Sequence, residues 1–280
     1  MQLLYEKPVA ERIQEEIRGR IAGLPMRPGL GVVLVGDDPA SHLYVSLKAK
    51  AAAALGIHLE QHIFKATDAE AAVLERIDAL NHDDTIHGII VQLPLPSGFD
   101  TDRVIAAIDP KKDADGFHRS NIEAFLAGES SAAPVFPEAL IEMLRSSGEA
   151  LEGKPTLVIA HSEYFGGVLR KACENIGLRA DVLLSSMLDG QKERISAAAI
   201  VLTASGMPGS ISGSIIASGT IIVDGGIAKR DGRVVGDVDA ESVADKAGFL
   251  SPVPGGVGPV TIACLLRRVV TLAEIKKKSA

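Results

Sequence analysis

The amino-acid sequence predicts an α/β protein made of two parallel-sheet halves, and three observations carry that prediction. Short apolar runs alternate with stretches of helical spacing along most of the chain, the signature of βαβ units. The alternation breaks off in a Ser, Ala and Pro-rich segment and restarts after Gly153. Hydrophobic residues make up 46% of the 280, yet aromatics are only 4% and Trp is absent. The core therefore falls to Ala, Val, Ile and Leu, which suits strands covered by helices on both faces.

In the first half, Pro8 to Ile21 has helical spacing. Gly29 to Val35 reads as a strand ending in the turn Gly36-Asp37-Asp38-Pro39. Ser41 to Leu55, rich in Ala and closed by Gly56, reads as a helix, and His58 to Phe64 as a second strand. Asp68 to Leu80 is predicted as a helix with Asp68 as its N-cap. Gly88 to Leu93 is a third strand, stopped by Pro94 and Pro96. Gly128 to Pro137 reads as the crossing between halves. In the second half, Pro155 to Ala160, Ala180 to Leu184, Ala199 to Thr203 and Thr220 to Val223 read as strands, with a helix over Tyr164 to Ile176. A last helix is expected over Val260 to Ile275, able to pack on either half.

Composition excludes several classes of function. Net charge is −7, from 29 basic and 36 acidic side chains, whereas a nucleic-acid binder carries a basic excess or stripe. The basic run Lys276-Lys277-Lys278 reads as a solvated end. No apolar run approaches the ~20 residues of a membrane span, and the N-terminus lacks a basic-then-apolar signal pattern. Cys173 and Cys264 lie in apolar helical patterns and read as buried thiols. The expectation is a soluble protein of a reducing, cytoplasmic compartment with no metal site.

Four stretches can carry chemistry. Tyr44 and Lys48 are spaced i, i+4 on one helix face, just after a Gly/Asp/Pro turn at a strand's C-terminal end, the edge where open α/β sheets bind ligands. Lys48 reads either as a surface lysine beside a half-exposed tyrosine or as a proton-transfer group of lowered pKa. Gln92 is the lone polar group of the run around Val91 and Leu93, and its amide needs a partner: a neighbouring loop, Lys48 or a ligand. Asp113-Ala114-Asp115-Gly116 is either an Asp–Gly turn or a carboxylate placed to grip an amidine-like N–H pair of a heterocycle. Pro252 to Thr261 packs three prolines and three glycines into ten residues, reading either as a rigid connector or as a loop that lets backbone approach a ligand.

These stretches, in this order, resemble the bifunctional methylenetetrahydrofolate dehydrogenase/methenyltetrahydrofolate cyclohydrolase family. Tyr44 to Lys48 is similar to its Y-x-x-x-K helix, Gly88 to Pro96 to its G-I-x-V-Q-L-P-L-P strand, and Asp113 to Phe117 to its D-V-D-G-F/L turn. Asp224-Gly225-Gly226-Ile227 resembles D-V-G-I, Gly236 to Asp239 is its G-D-V-D, and Pro254 to Pro259 is its P-G-G-V-G-P loop. The resemblance runs from about residue 5 to about residue 270.

It implies an N-terminal catalytic domain (residues 1–137 completed by 259–280) and a central Rossmann-like domain (138–258), in a cytoplasmic homodimer. Lys48 is then the catalytic lysine, supported by Tyr44, Gln92 and Asp115: Tyr44 lies by the folate, Gln92 orients Lys48, and Asp115 grips the pterin-like ring. Val91, Gln92 and Leu93, with Pro254, Gly255, Gly256, Val257 and Gly258, line the folate site. Ala160, His161, Ser162, Gly166, Ser185, Gly206 and Ile227 take the cofactor, NADP with NAD possible. The implied partners are tetrahydrofolate C1 derivatives, with no nucleic acid or membrane.

The central half departs from the family pattern. The family's G-R-S-x-x-V-G-x-P loop stands here as Ala160-His161-Ser162-Glu163-Tyr164-Phe165-Gly166-Gly167-Val168, and its C-H-S-R-T as Ser185-Ser186-Met187-Leu188-Asp189. Its P-C-T-P-x-G is Pro134-Val135-Phe136-Pro137-Glu138-Ala139, where Phe136 is expected to narrow the cleft. The guanidinium that would grip the 2′-phosphate of NADP is missing. Two alternatives follow: a cyclohydrolase whose dehydrogenase activity is weakened or cofactor-switched, and a non-catalytic folate- or nucleotide-binding paralogue.

Overall fold

The computed structural model describes residues 1–130, 132–230 and 232–279. The first elements are β1 (Gln2–Leu3), α1 (Glu6–Ile21), β2 (Gly29–Val35), α2 (Pro39–Ala54), β3 (His58–Phe64), α3 (Glu70–His82) and β4 (Gly88–Val91). Helices α4 (Thr101–Ala106), α5 (Arg119–Ala127) and α6 (Val135–Arg145) lead to β5 (Pro155–Ala160), α7 (Glu163–Glu174) and β6 (Arg179–Leu184). Then come α8 (Lys192–Ser196), β7 (Ile200–Ala204), β8 (Ile221–Asp224), β9 (Ala228–Arg230), β10 (Arg233–Val235), α9 (Ala240–Val243), β11 (Phe249–Leu250) and α10 (Val257–Ser279).

The chain divides into two compact units: Met1–Glu11 with Phe125–Thr261, and Arg12–Ala124 with Ile262–Ala280. These limits differ from the 137/138 division expected from sequence. Helix α6 packs on α7 and β8, and β1 pairs with β11, so the extreme N-terminus and residues 125–137 group with the Rossmann-like unit.

In the unit of residues 12–124 and 262–280, among the described residues, a parallel three-stranded sheet runs β3-β2-β4. Strand β2 is buried along its whole length, as a Gly, Leu and Val run without a polar residue requires. Val33, Val35, Ile77, Ile86, Ile89, Val91 and Val104 share one core. Asp38 caps α2 by accepting from the Ser41 N–H at 2.8 Å, and Pro39 opens the helix at a position that needs no N–H. Gly36 turns the chain at φ +87°. Two expectations fail here. Asp68 does not cap α3; its carboxylate accepts from the Lys65 N–H within the preceding turn, and Ala69 takes the N-cap position. The third strand stops at Val91, although Gln92 N–H still donates to Val33 O at 2.8 Å.

In the Rossmann-like unit, among the described residues, six parallel strands run β6-β5-β7-β8-β11-β1. Numbered from β5, the first five follow the doubly wound 2-1-3-4-5 order, with its switch point between β5 and β7. Leu157, Ile159, Val201, Ile222 and Leu250 lie in its core. Ser162 caps α7 through its hydroxyl, which accepts from Phe165 N–H at 3.3 Å. The expected crossing at 128–137 is shorter than predicted because α6 starts at Val135. The last helix likewise starts at Val257, inside the Gly/Pro stretch. Pro137 and Pro259 each occupy the third position of their helix, where an N–H has no intrahelical acceptor to lose. No helix among the described residues is long and apolar enough to cross a membrane. Both cysteines are buried, and burial pushes the Cys173 thiol up to about 12.

Candidate active site

In the β3-β2-β4 sheet the strand order reverses between β2 and β4. The loops after these strands, Gly36 to Asp38 and Gln92 to Pro96, therefore flank a switch point. Helix α2 starts from the first loop. Its buried stripe is Ser41, Val45, Lys48 and Ala52, so Lys48 occupies a core-facing position and is only 9% exposed. Its Nζ donates to Gln92 Oε1 at 2.9 Å. Gln92 Nε2 in turn donates to Leu93 O at 2.8 Å, which fixes which end of the amide meets the lysine. Burial lowers the Lys48 pKa, opposed by the charge of Asp115. Tyr44, one turn before Lys48, is half-buried, and burial raises its pKa.

The structure divides the two carboxylates of Asp113-Ala114-Asp115 between two tasks. Ala114 N–H donates to Ile89 O at 3.1 Å and Ile89 N–H to Lys112 O at 2.6 Å, so the segment runs alongside β4. Asp113 is buried and accepts from the N–H groups of Gly116, Phe117 and His118 at 3.0, 3.2 and 2.8 Å, and from Asn121 Nδ2 at 2.9 Å. It builds the turn. Asp115 instead faces side-chain charges. Burial raises its pKa, Lys48 pulls it down, Asp113 pushes it up, and Arg268 of α10 pulls it down. Tyr44, Lys48, Val91, Gln92, Leu93 and Asp115 all belong to this one unit. Arg268, which sequence reading did not single out, carries no local motif; only the chain's return through α10 brings it near Asp115.

The remaining candidates belong to the Rossmann-like unit. Gly255 has φ +101°, and its carbonyl accepts from Glu6 N–H at 3.1 Å. A side chain there would also press on the Glu6 carboxylate. Gly256 and Val257 are buried, Pro254 exposed. At the switch point, Ala160 ends β5 and is paired in register with Ala204 of β7. Gly166 lets α7 close on β6, since a Cβ would lie 2.5 Å from Val182 Cγ1. Gly206 has φ +68°. Ser185 is buried, whereas Ile227 is 51% exposed.

His161 is exposed and stacks on Phe165 with centroids 5.2 Å apart; Phe165 stacks on Phe136 at 6.0 Å. Gly225 makes room for the tip of Phe136, whose Cζ would lie 2.8 Å from a Cβ there. Asp189, the acid beyond β6, is exposed.

Comparison with known proteins gives a consistent picture. The family model described as the tetrahydrofolate dehydrogenase/cyclohydrolase catalytic domain matches residues 4–115. The model for the NAD(P)-binding domain of the same family matches residues 134–277. The bifunctional protein FolD of Bordetella bronchiseptica is 43% identical over 271 residues, covering 95% of each chain. The crystal structure of the Campylobacter jejuni bifunctional FolD superimposes with a TM-score of 0.92 at 35% identity, covering 99% of both chains. That of the Trypanosoma brucei enzyme, complexed with NADP and an inhibitor, gives 0.91 at 32% identity, covering 98% of this chain and 97% of that one.

Proposed function

The chain belongs to the tetrahydrofolate dehydrogenase/cyclohydrolase family, and on that premise we propose that Lys48, held by Gln92 and faced by Asp115, handles the protons of the hydration and ring-opening reaction. The enzyme oxidises 5,10-methylenetetrahydrofolate to the 5,10-methenyl cation with a nicotinamide dinucleotide and hydrolyses that cation to 10-formyltetrahydrofolate. The observation that carries the role of Lys48 is its 2.9 Å bond to Gln92 Oε1 in a buried setting.

Burial raises the fraction of neutral amine, so Lys48 can take a proton from the water that adds to the methenyl carbon. It returns one to the ring nitrogen as the C–N bond opens, and the second proton of the adduct leaves to solvent. Gln92 accepts from the amine and so fixes its direction without competing for its lone pair. Asp115 is assigned to the N–H groups of the folate heterocycle, and Tyr44, Val91, Leu93 and Pro254 to Gly258 to further folate contacts, on the family's motifs.

The dinucleotide, when bound, supplies the hydride acceptor. The residues present fit its backbone: an α7 N-terminus capped by Ser162, the positive-φ turn at Gly206, and Ile227 after β8 suit a pyrophosphate and ribose at the switch point. NADP is the proposed partner, with NAD as the alternative because neither His161 nor Ser185 supplies a fixed cation. The family resemblance further supports a cytoplasmic homodimer.

Lys48→Met tests the reading. Methenyl hydrolysis should fall by about 10²–10⁴-fold while the protein stays folded and binds dinucleotide as before. Hydrolysis at the wild-type rate would remove Lys48 from the mechanism.

A further inference from the structure

The two loops at the β5/β7 switch point are held in different ways. The loop after β5 is organised by α7 and its Ser162 cap. The loop after β7, Ser205 to Gly209, leads into no immediate helix and contains two positive-φ glycines, Gly206 at +68° and Gly209 at +71°. Such a segment is costly to order. What orders it lies some thirty residues away.

Asp237 is fully buried. Its Oδ2 accepts from Thr203 Oγ1 at 2.6 Å and from Ser205 N–H at 2.7 Å, and its Oδ1 accepts from Met207 N–H at 2.7 Å. The main chain beside it closes the exit: Ile211 N–H donates to Asp237 O at 3.0 Å and Gly209 N–H to Gly236 O at 3.4 Å. Ser205 and Met207 thus turn their N–H groups inward, and the exposed Gly206 between them is left on the outer edge of the turn.

Asp237 is itself set by a second buried carboxylate. Asp224, at the end of β8, accepts from Gly226 N–H at 2.9 Å, Asp237 N–H at 3.2 Å and Val238 N–H at 2.9 Å. Two glycines complete the arrangement reciprocally. A Cβ on Gly226 would strike the Asp237 carboxylate, and a Cβ on Gly236 would strike that of Asp224. Burying two carboxylates side by side is unfavourable unless each is saturated by donors. Here backbone donors of three loops supply that saturation.

We propose that Asp237 is a positioning residue for the nicotinamide dinucleotide: it presets the Ser205–Met207 turn that β7 contributes to the switch-point crevice, while Asp224, Gly226 and Gly236 fix Asp237. This rests on the dehydrogenase reading above. Asp237 does not touch the dinucleotide; it acts through the turn.

The test compares wild type with Asp237→Asn, nearly the same shape but short of one acceptor, and with Thr203→Val, which removes a single donor. NADP and NAD are titrated into each protein by calorimetry, and methenyl hydrolysis is measured without dinucleotide. In Asp237→Asn the Kd of the preferred dinucleotide should rise tenfold or more, and in Thr203→Val severalfold. The KM for dinucleotide should rise likewise, with kcat at saturation and methenyl hydrolysis changed less than threefold. A residue with a merely structural role would lower Tm and leave this KM-against-kcat split unmoved. If both variants bind dinucleotide within twofold of wild type, the inference is wrong. If only Thr203→Val folds, its Kd alone decides. Should wild type bind neither dinucleotide, the dehydrogenase reading falls and takes the inference with it.

Discussion

Two switch points, one in each unit, obey the same topological rule and are furnished in opposite ways. At the β2/β4 point, the buried Lys48 and the part-buried Asp115 answer chiefly to side chains: an amide oxygen, and each other's charge. At the β5/β7 point, Asp237 answers to an O–H donor of β7 and to N–H donors of the loop it holds. Asp113 belongs with Asp237 in this respect, though only two positions from Asp115. Burial alone therefore does not mark a reactive carboxylate. The identity of the partners separates the two kinds: a carboxylate filled by main-chain N–H groups has its energy invested in shape, whereas one that answers to the charged side chains of Lys48 and Arg268 stands outside that scaffold.

The sharpest way to break this contrast is to remove the neighbouring aspartates one at a time. Asp113→Ala strands several buried donors and should cost about 3 kcal/mol or more of stability, read as a drop in the urea midpoint. Asp115→Ala should leave the midpoint nearly unchanged yet weaken folate binding about tenfold or more, the worth of a charged hydrogen bond. Asp115→Asn should weaken it too. Folate affinity untouched in both Asp115 variants would return this residue to turn-building and erase the distinction.

Asp224 sharpens the other side. Burial, together with Asp237, pushes its carboxyl up to about 7 against three backbone donors. The unfolded chain releases that proton near the ordinary value of about 3.9. The folded form therefore holds a proton the unfolded form has lost, and the stability gained is complete below about pH 4 and is lost as pH rises through about 7. Urea midpoints from about pH 5 to about pH 8 should fall more steeply for wild type than for Asp224→Asn; parallel curves would show that the three N–H donors keep Asp224 ionised throughout.

The smallest expected effect concerns cofactor choice. With His161, Ser185 and Ser186 at the strand ends, NADP and NAD should bind within about tenfold of each other. An NADP preference of about a thousandfold would reveal a cation placed elsewhere.

Much of this architecture is legible in the letters. Gly29 to Val35, His58 to Phe64 and Pro155 to Ala160 are strands to the residue, because each is an apolar or alternating run bounded by turn formers. Helix ends are less legible. Asp68 was a reasonable cap by type, but a turn closing back on Lys65 took its carboxylate first. The approach of Lys48 to Gln92 follows from i, i+4 spacing plus the strand-edge rule. The division of labour between Asp113 and Asp115 does not, since both flank the same alanine and only the donors of residues 116–121 tell them apart. The partners of Asp237 are harder still: Thr203 lies in β7, Ser205 and Met207 in the loop after it, and no local pattern ties them to a G-D-V-D motif.

The crossed fit of Gly226 against Asp237 and Gly236 against Asp224 has a consequence for how this protein can change over generations. Neither glycine can gain a side chain while the opposite carboxylate stays, and neither carboxylate can leave without orphaning the N–H groups that it accepts from. Every one-step path away from the motif pair therefore begins with a loss, so Asp224-Gly225-Gly226 and Gly236-Asp237 should persist or be replaced together. A library randomising both segments at once should recover functional replacements that libraries randomising either one alone do not contain.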